Sequence, residues 1–268
     1  MPKPIAIAGI MGAMGRNLAA MAAADGRFML VGGTEAPNSA ALNKHISDAL
    51  NLLNVSGEIS SDITVAAKNA KVFIDFTRPA ATLATLEALK ATECKAVVIG
   101  TTGFSEEENK KIKAYAKHFA IVKTGNFSLG VNLLSGFVKK AAAVLGEDWD
   151  IEIIEAHHRR KVDAPSGTAI LLGESAAEGR GKPLSEIRTP AREGITGARV
   201  KGSIGFSAIR GGGIVGEHDV RFESETESLV LSHKAWDRST FAKGALEAAL
   251  WVVDKPHGLY DMHDVLGL

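Results

Sequence analysis

Two adjacent histidines, His157 and His158, precede Lys161 by three or four residues, and the same run closes on Pro165-Ser166-Gly167-Thr168. Imidazole and ammonium groups exchange protons near neutral pH and attract anions, so the chemistry this run could do is acid–base work on a negatively charged substrate. Ser166 is a helix-capping residue type, and a helix is expected to begin near Thr168 and run through Ala169-Ile170-Leu171-Leu172. The first N–H groups of a helix lack intrahelical partners and carry partial positive charge, which suits those of Gly167 and Thr168 to a carboxylate or phosphate. Gly167 also lets a ligand approach the backbone. The preceding Trp149-Asp150-Ile151-Glu152-Ile153-Ile154 reads as a strand. Adjacent strand residues face opposite ways, so the two histidines are given separate tasks. His157 is the expected proton donor or acceptor, Lys161 a proton donor, and His158 a substrate contact. The competing reading of such a run is a solvated basic face with structural histidines.

A second group lies near the start. Gly9, Gly12 and Gly15 are spaced G-x-x-G-x-x-G after an apolar strand, Ile5 to Ala8, and before a helix opening at Arg16-Asn17-Leu18. Small residues there permit a tight turn, close backbone approach to a pyrophosphate and close helix–strand packing, whereas the competing reading is an ordinary strand-to-helix turn. Glu35 stands 20 positions after Gly15, the spacing at which an acid binds the ribose hydroxyls of NAD. The expected dinucleotide contacts are Gly9, Ile10, Met11, Gly12, Ala13, Met14 and Glu35. Gly100, Thr101 and Thr102, and later Thr124, Gly125, Asn126 and Phe127, follow strands of the same series, where ligands of open α/β sheets sit. The cofactor is expected to be NADH and/or NADPH. Because Ala36-Pro37-Asn38 supplies no cation beside Glu35, a 2′-phosphate would be repelled, and NADH is the favoured partner.

These residues need elements to hold them. Short apolar strands at Ile5 to Ala8, Phe28 to Gly32, Val72 to Asp75, Val97 to Gly100 and Ala120 to Val122 alternate with helical stretches, which argues for a doubly wound parallel sheet. Asn43 to Thr64 is polar and less regular, with room for a loop within it. From Val200 to Ala235 the pattern changes to strand alternation, with Ile204 and Phe206, Val220 and Phe222, then Leu229 and Leu231 facing one way and a turn at Ser224 to Glu227. Thr240 to Val253 returns to helical spacing.

Composition narrows the function classes. The chain has 268 residues, 46% hydrophobic and 23% charged, with 31 basic residues balancing 31 acidic ones. A zero net charge offers no general field for nucleic acid or an anionic membrane, so an anion site must be local. The single Cys94 rules out an internal disulfide framework and a cysteine metal cage, and it precedes a buried strand, unlike a thiol nucleophile in a polar loop. No stretch approaches eighteen apolar residues and no leader pattern is visible, so a soluble, cytoplasmic protein is expected. A metal hydrolase using His157, His158, His218 and Asp219 lacks an H-E-x-x-H helix. A non-catalytic NAD-sensing module would bind cofactor without turnover.

The run from Glu155 to Ala169 matches E-x-H-H-x-x-K-x-D-x-P-S-G-T-A at every position, and in it the chain resembles the 4-hydroxy-tetrahydrodipicolinate reductase family, also called dihydrodipicolinate reductase. The resemblance continues through Phe73 to Pro79, Val98 to Phe104, Asn126 to Asn132, Arg192-Glu193-Gly194, Gly216-Glu217-His218, His233-Lys234-Ala235 and Leu259 to Met262. It departs at Met11 and Ala13, where relatives often carry Gly and Arg, and at Ala36, where some carry Arg. The resemblance implies a Rossmann-like dinucleotide-binding domain over residues 1–128, completed by 239–268. It also implies a mostly β, α+β substrate-binding and oligomerisation domain over 129–238. It further implies a homotetramer, and reduction of (2S,4S)-4-hydroxy-2,3,4,5-tetrahydrodipicolinate to 2,3,4,5-tetrahydrodipicolinate on the diaminopimelate route to lysine. This small dicarboxylate would be held by His158, Gly167 and Thr168.

Overall fold

Strands that are apolar on both faces need cover on both faces, and a parallel sheet flanked by helices provides it. In a computed structural model describing residues 1–268, the first half of the chain follows that plan. The order is β1 (Lys3–Ala8), α1 (Ala13–Ala24), β2 (Phe28–Thr34), α2 (Ile46–Leu50), β3 (Ile59–Ser60), α3 (Ile63–Ala67), β4 (Val72–Asp75), α4 (Pro79–Leu89), β5 (Ala96–Ile99), α5 (Glu106–Tyr115) and β6 (Ala120–Lys123). Ser105 and Glu108 close a reciprocal capping box on α5. The chain then forms α6 (Leu129–Leu145), β7 (Asp150–His157), α7 (Gly167–Gly179), α8 (Leu184–Ile187), β8 (Ile204–Arg210), β9 (Gly216–Glu223) and β10 (Ser228–Ala235). It ends with α9 (Ser239–Val252), β11 (Gly258–Tyr260) and α10 (Met262–Leu266).

Contacts divide the chain into two compact units, one of residues 1–127 with 239–267 and one of 128–238 with Leu268. The first holds a seven-stranded sheet in the order β11-β6-β5-β4-β1-β2-β3, parallel throughout. On one side its core gathers Phe73, Leu86, Val97, Ile112, Phe119 and Ile121, with Cys94 buried among them. The second holds a four-stranded sheet, β10-β9-β7-β8, antiparallel except for the β7–β8 pair. Its core packs Val138 of α6 and Leu172 of α7 on Ile151, Ile153, Ile204, Val220 and Phe222. No helix is long and apolar enough to cross a membrane.

One segment gains its detail and two expectations change. Residues 43–64 contain α2 and β3 and lead into α3; these pieces are too short for hydrophobic periodicity to show, and local caps set them. His45 accepts the Ser47 N–H, and Asp62 accepts the Thr64 N–H at 2.8 Å. The strand expected to end at Ile154 runs on to His157, because β8 and β9 pair with it up to its last residues. Leu231 packs on the core but Leu229 is 38% exposed, since β10 is an edge strand.

Candidate active site

Glu155 and His157 lie two residues apart on β7 and therefore share a face. Glu155 is 1% exposed. Its Oε2 accepts from His157 Nδ1 at 2.6 Å and Arg210 Nη1 at 2.7 Å, and its Oε1 from Arg210 Nη2 at 2.6 Å and the Ser166 N–H at 3.0 Å. Burial pushes the Glu155 pKa up, but the hydrogen bonds from Arg210, His157 and Ser166 together outweigh it and hold the carboxyl below its ordinary value. An ionised carboxylate has no proton to donate, so the His157 proton sits on Nδ1 and the other ring nitrogen is left for chemistry. Gly216 lies beside that nitrogen, where a Cβ would come within 3.2 Å of Nε2.

Opposite Glu155 on β9 stands His218, whose ring meets that of His157 edge-on at 5.1 Å. Burial pushes its pKa down to about 4, with further lowering by the His157 charge. It is therefore neutral at physiological pH. Its Nε2 pairs with Ser166 Oγ at 3.0 Å, and the same hydroxyl accepts the Ala169 N–H at 3.1 Å, capping α7. The helix thus begins at Gly167, one residue from the expected place. Gly167 is exposed, with no atom within 4 Å of where a Cβ would be, so a ligand can reach its backbone. Thr168 is half-buried in the first turn. His158 follows the strand and has a buried Nδ1 without a hydrogen-bond partner. Lys161 pairs with Asp163 at 2.9 Å, and its N–H bonds to the His158 carbonyl at 3.0 Å.

The first unit builds its candidate group from backbone. Gly9 takes φ +59, which a side chain rarely allows, and its carbonyl accepts the Gly12 N–H at 2.9 Å. A Cβ on Gly15 would fall 2.2 Å from the Gly9 oxygen, so this glycine is what lets α1 pack onto the turn. No side chain caps α1 at Gly12. Glu35, just beyond β2, accepts the Met11 N–H at 2.7 Å, and Ile10 is buried against Gly33. Ala13 and Met14 form the first turn of α1. A glycine turn, a helix start without a side-chain cap and a carboxylate after the second strand together fit a dinucleotide.

The other candidates in that unit fall into two kinds. Thr101 is 4% exposed and holds its loop, accepting from the Thr77 N–H at 3.0 Å and Thr82 Oγ1 at 2.9 Å. It donates to the buried Asp75 at 3.3 Å. Phe127 is buried against Phe76, with ring centres 5.3 Å apart, and Asn126 donates its N–H to Thr124 Oγ1 at 3.3 Å. Gly100 lies against the Phe76 ring, whereas Thr102 and Gly125 are exposed.

The model of the dihydrodipicolinate reductase N-terminus matches residues 3–127 and that of its C-terminus residues 130–266. The chain belongs to the dihydrodipicolinate reductase family. The chain is 49% identical to the 4-hydroxy-tetrahydrodipicolinate reductase of Caulobacter vibrioides, over 99% of this chain and 98% of that protein. It is 52% identical to that of Dinoroseobacter shibae, over 98% of each. Among solved structures, a dipicolinate-bound dihydrodipicolinate reductase from a Paenisporosarcina species superposes with a TM-score of 0.75 at 26% identity, covering 97% of this chain and 98% of that one. An amine dehydrogenase from Mycobacterium smegmatis shares the fold alone, with a TM-score of 0.58 at 13% identity over 96% and 94% of the two chains. Like its family, the chain is an oxidoreductase of the reduction step in diaminopimelate and lysine biosynthesis, and it uses a nicotinamide cofactor.

Sequence reasoning gave no role to Glu155 or Arg210, gave Ser166 only the helix cap, and weighed His218 only as a ligand in the metal-hydrolase alternative. Glu155 was open to it, since an acid two residues before a histidine on a strand shares its face. Arg210 was not. It reaches Glu155 because β8 pairs in parallel with β7, bringing Arg210 level with His157 across 53 residues of sequence.

Proposed function

We propose that the acid–base group around His157 and Lys161 completes the reduction of (2S,4S)-4-hydroxy-2,3,4,5-tetrahydrodipicolinate by supplying the proton that follows hydride transfer. The observation that carries this reading is the Glu155–His157 hydrogen bond at 2.6 Å, which sets the ring with Nδ1 occupied and Nε2 available. A nicotinamide cofactor, when bound, supplies the hydride. Loss of water and hydride addition leave an electron-rich enamine, which takes one proton from His157 or Lys161 to give 2,3,4,5-tetrahydrodipicolinate. The substrate carboxylates are held by the Gly167 and Thr168 backbone, the Thr168 hydroxyl and the His158 ring, whose buried, unpartnered Nδ1 supports a ligand contact.

On this reading the unit of residues 1–127 and 239–267 binds the dinucleotide through Gly9 to Met14, Glu35, Gly100 to Thr102 and Thr124 to Phe127. The unit of 128–238 binds substrate. Glu35 favours NADH, used at least as well as NADPH, because its carboxylate suits two ribose hydroxyls and repels a 2′-phosphate. Exposed Ile209, Leu229 and Val230 on β8 and β10 support assembly of a homotetramer through this second unit. The free, buried thiol of Cys94 suits a reducing cytoplasm.

Alanine at His157 or at Lys161 is expected to lower kcat by about 10²–10⁴-fold, with NADH affinity changed by less than about threefold. Steady-state kinetics beside fluorescence titration of NADH would check this. A variant that kept its turnover within about threefold of the parent would remove that residue from the mechanism.

A further inference from the structure

Resting on the proton-transfer role of His157 proposed above, we propose that Glu155 is a positioning residue shared by proton transfer and substrate binding, and that Arg210 regulates how strongly it acts. One carboxylate holds both halves of the chemistry. Oε2 fixes the His157 ring, while Oε1 holds the Ser166 N–H, one residue before the open backbone of Gly167. A displacement of Glu155 therefore moves the acid–base nitrogen and the carboxylate-binding helix start together. Arg210 grips both oxygens of Glu155 and also donates to the Asp163 carbonyl at 2.8 Å, so the loop carrying Lys161 is tied to the same point.

The charges give this arrangement a sign. An unscreened carboxylate against Nδ1 stabilises the imidazolium and would hold the proton on His157; a guanidinium on the same carboxylate weakens that hold. Against His157 stand Glu155 on its own strand, Arg210 paired level with it on β8, and His218 from β9; Lys161, whose charge reaches His218, and Asp163, whose carbonyl Arg210 holds, lie on the segment after β7, and His233 on β10 stands opposite His218. With His218 neutral at physiological pH, the charges at the ring's own hydrogen bond are Glu155 and the Arg210 paired with it. Removing either should displace the basic limb of the activity profile, in opposite directions.

The test is the pH profile of kcat/KM for Glu155→Gln and Arg210→Gln, with substrate KM, NADH affinity and circular dichroism measured on the same preparations. Glu155→Gln should lower kcat by roughly tenfold or more, raise substrate KM and move the basic limb down by about one pH unit, leaving NADH affinity unchanged. Arg210→Gln should move that limb upward. Limbs that move the same way, or stay in place with KM unaltered, would overturn the proposal. If Glu155→Gln does not fold, Glu155→Asp keeps the charge, so its limb should stay near the parent's while KM rises; a downward shift there, or an unchanged KM, would overturn the proposal too. His157→Asn separates the two readings: it should abolish the limb, and a limb that survives it refutes the role of His157 itself, whatever the Glu155 variants do.

Discussion

The turn from Gly9 to Gly15 and the run from Glu155 to Thr168 are both suited to anionic ligands, but with different groups. The first uses main chain: a left-handed glycine, a glycine packed against a carbonyl, and a helix start that no side chain caps. The second adds to the open backbone at Gly167 a set of ionisable side chains gathered on one buried carboxylate. A site built from backbone is sensitive to shape and indifferent to pH; a site built from side chains is sensitive to protonation and to the loss of one group. On the proposed reading, cofactor binding belongs to the first element and proton movement to the second.

The largest effect that would sharpen this contrast lies in the second region. Pyridine-2,6-dicarboxylate should compete with substrate, and a monocarboxylate analogue should bind about 10-fold to 150-fold more weakly, since each lost charge-assisted hydrogen bond is worth roughly 1.5–3 kcal/mol. Inhibition constants measured side by side decide it, and equal values would remove the carboxylate-binding role of Gly167, Thr168 and His158.

Next is a steric change in the first region. Gly15→Ala places a Cβ 2.2 Å from the Gly9 oxygen, so the turn or α1 must shift. Overpacking of this kind costs about 1–3 kcal/mol, to be read as lower NADH affinity by calorimetric titration and a lower Tm. If both stayed at parental values, the close approach would not matter to the cofactor site.

The smallest expected effect concerns cofactor choice. Ala36→Arg should raise kcat/KM for NADPH relative to NADH by about tenfold, because it adds a charge partner for the 2′-phosphate beside Glu35. A parent enzyme already preferring NADPH by more than about tenfold would contradict the repulsion assigned to Glu35.

Legibility in the sequence differed between the regions for a physical reason. Glycine spacing and an acid after the second strand are local signals, and the parallel sheet followed from alternating elements; α2, β3 and α3 escaped because five-residue helices and two-residue strands bury too little to leave a period. In the second unit His157, His158, Lys161 and the Ser166 cap were visible as a motif, since they lie within one short run. Arg210 and His218 come to Glu155 only through the pairing of β7 with β8 and β9, which no local pattern encodes.

The most direct measurement is a coupled assay in which 4-hydroxy-tetrahydrodipicolinate is generated freshly and oxidation of the reduced nicotinamide is followed by its near-ultraviolet absorbance. The account predicts substrate-dependent oxidation of NADH by the parent chain, at a rate at least equal to that with NADPH. Binding of NADH without any substrate-dependent oxidation of either cofactor would contradict it.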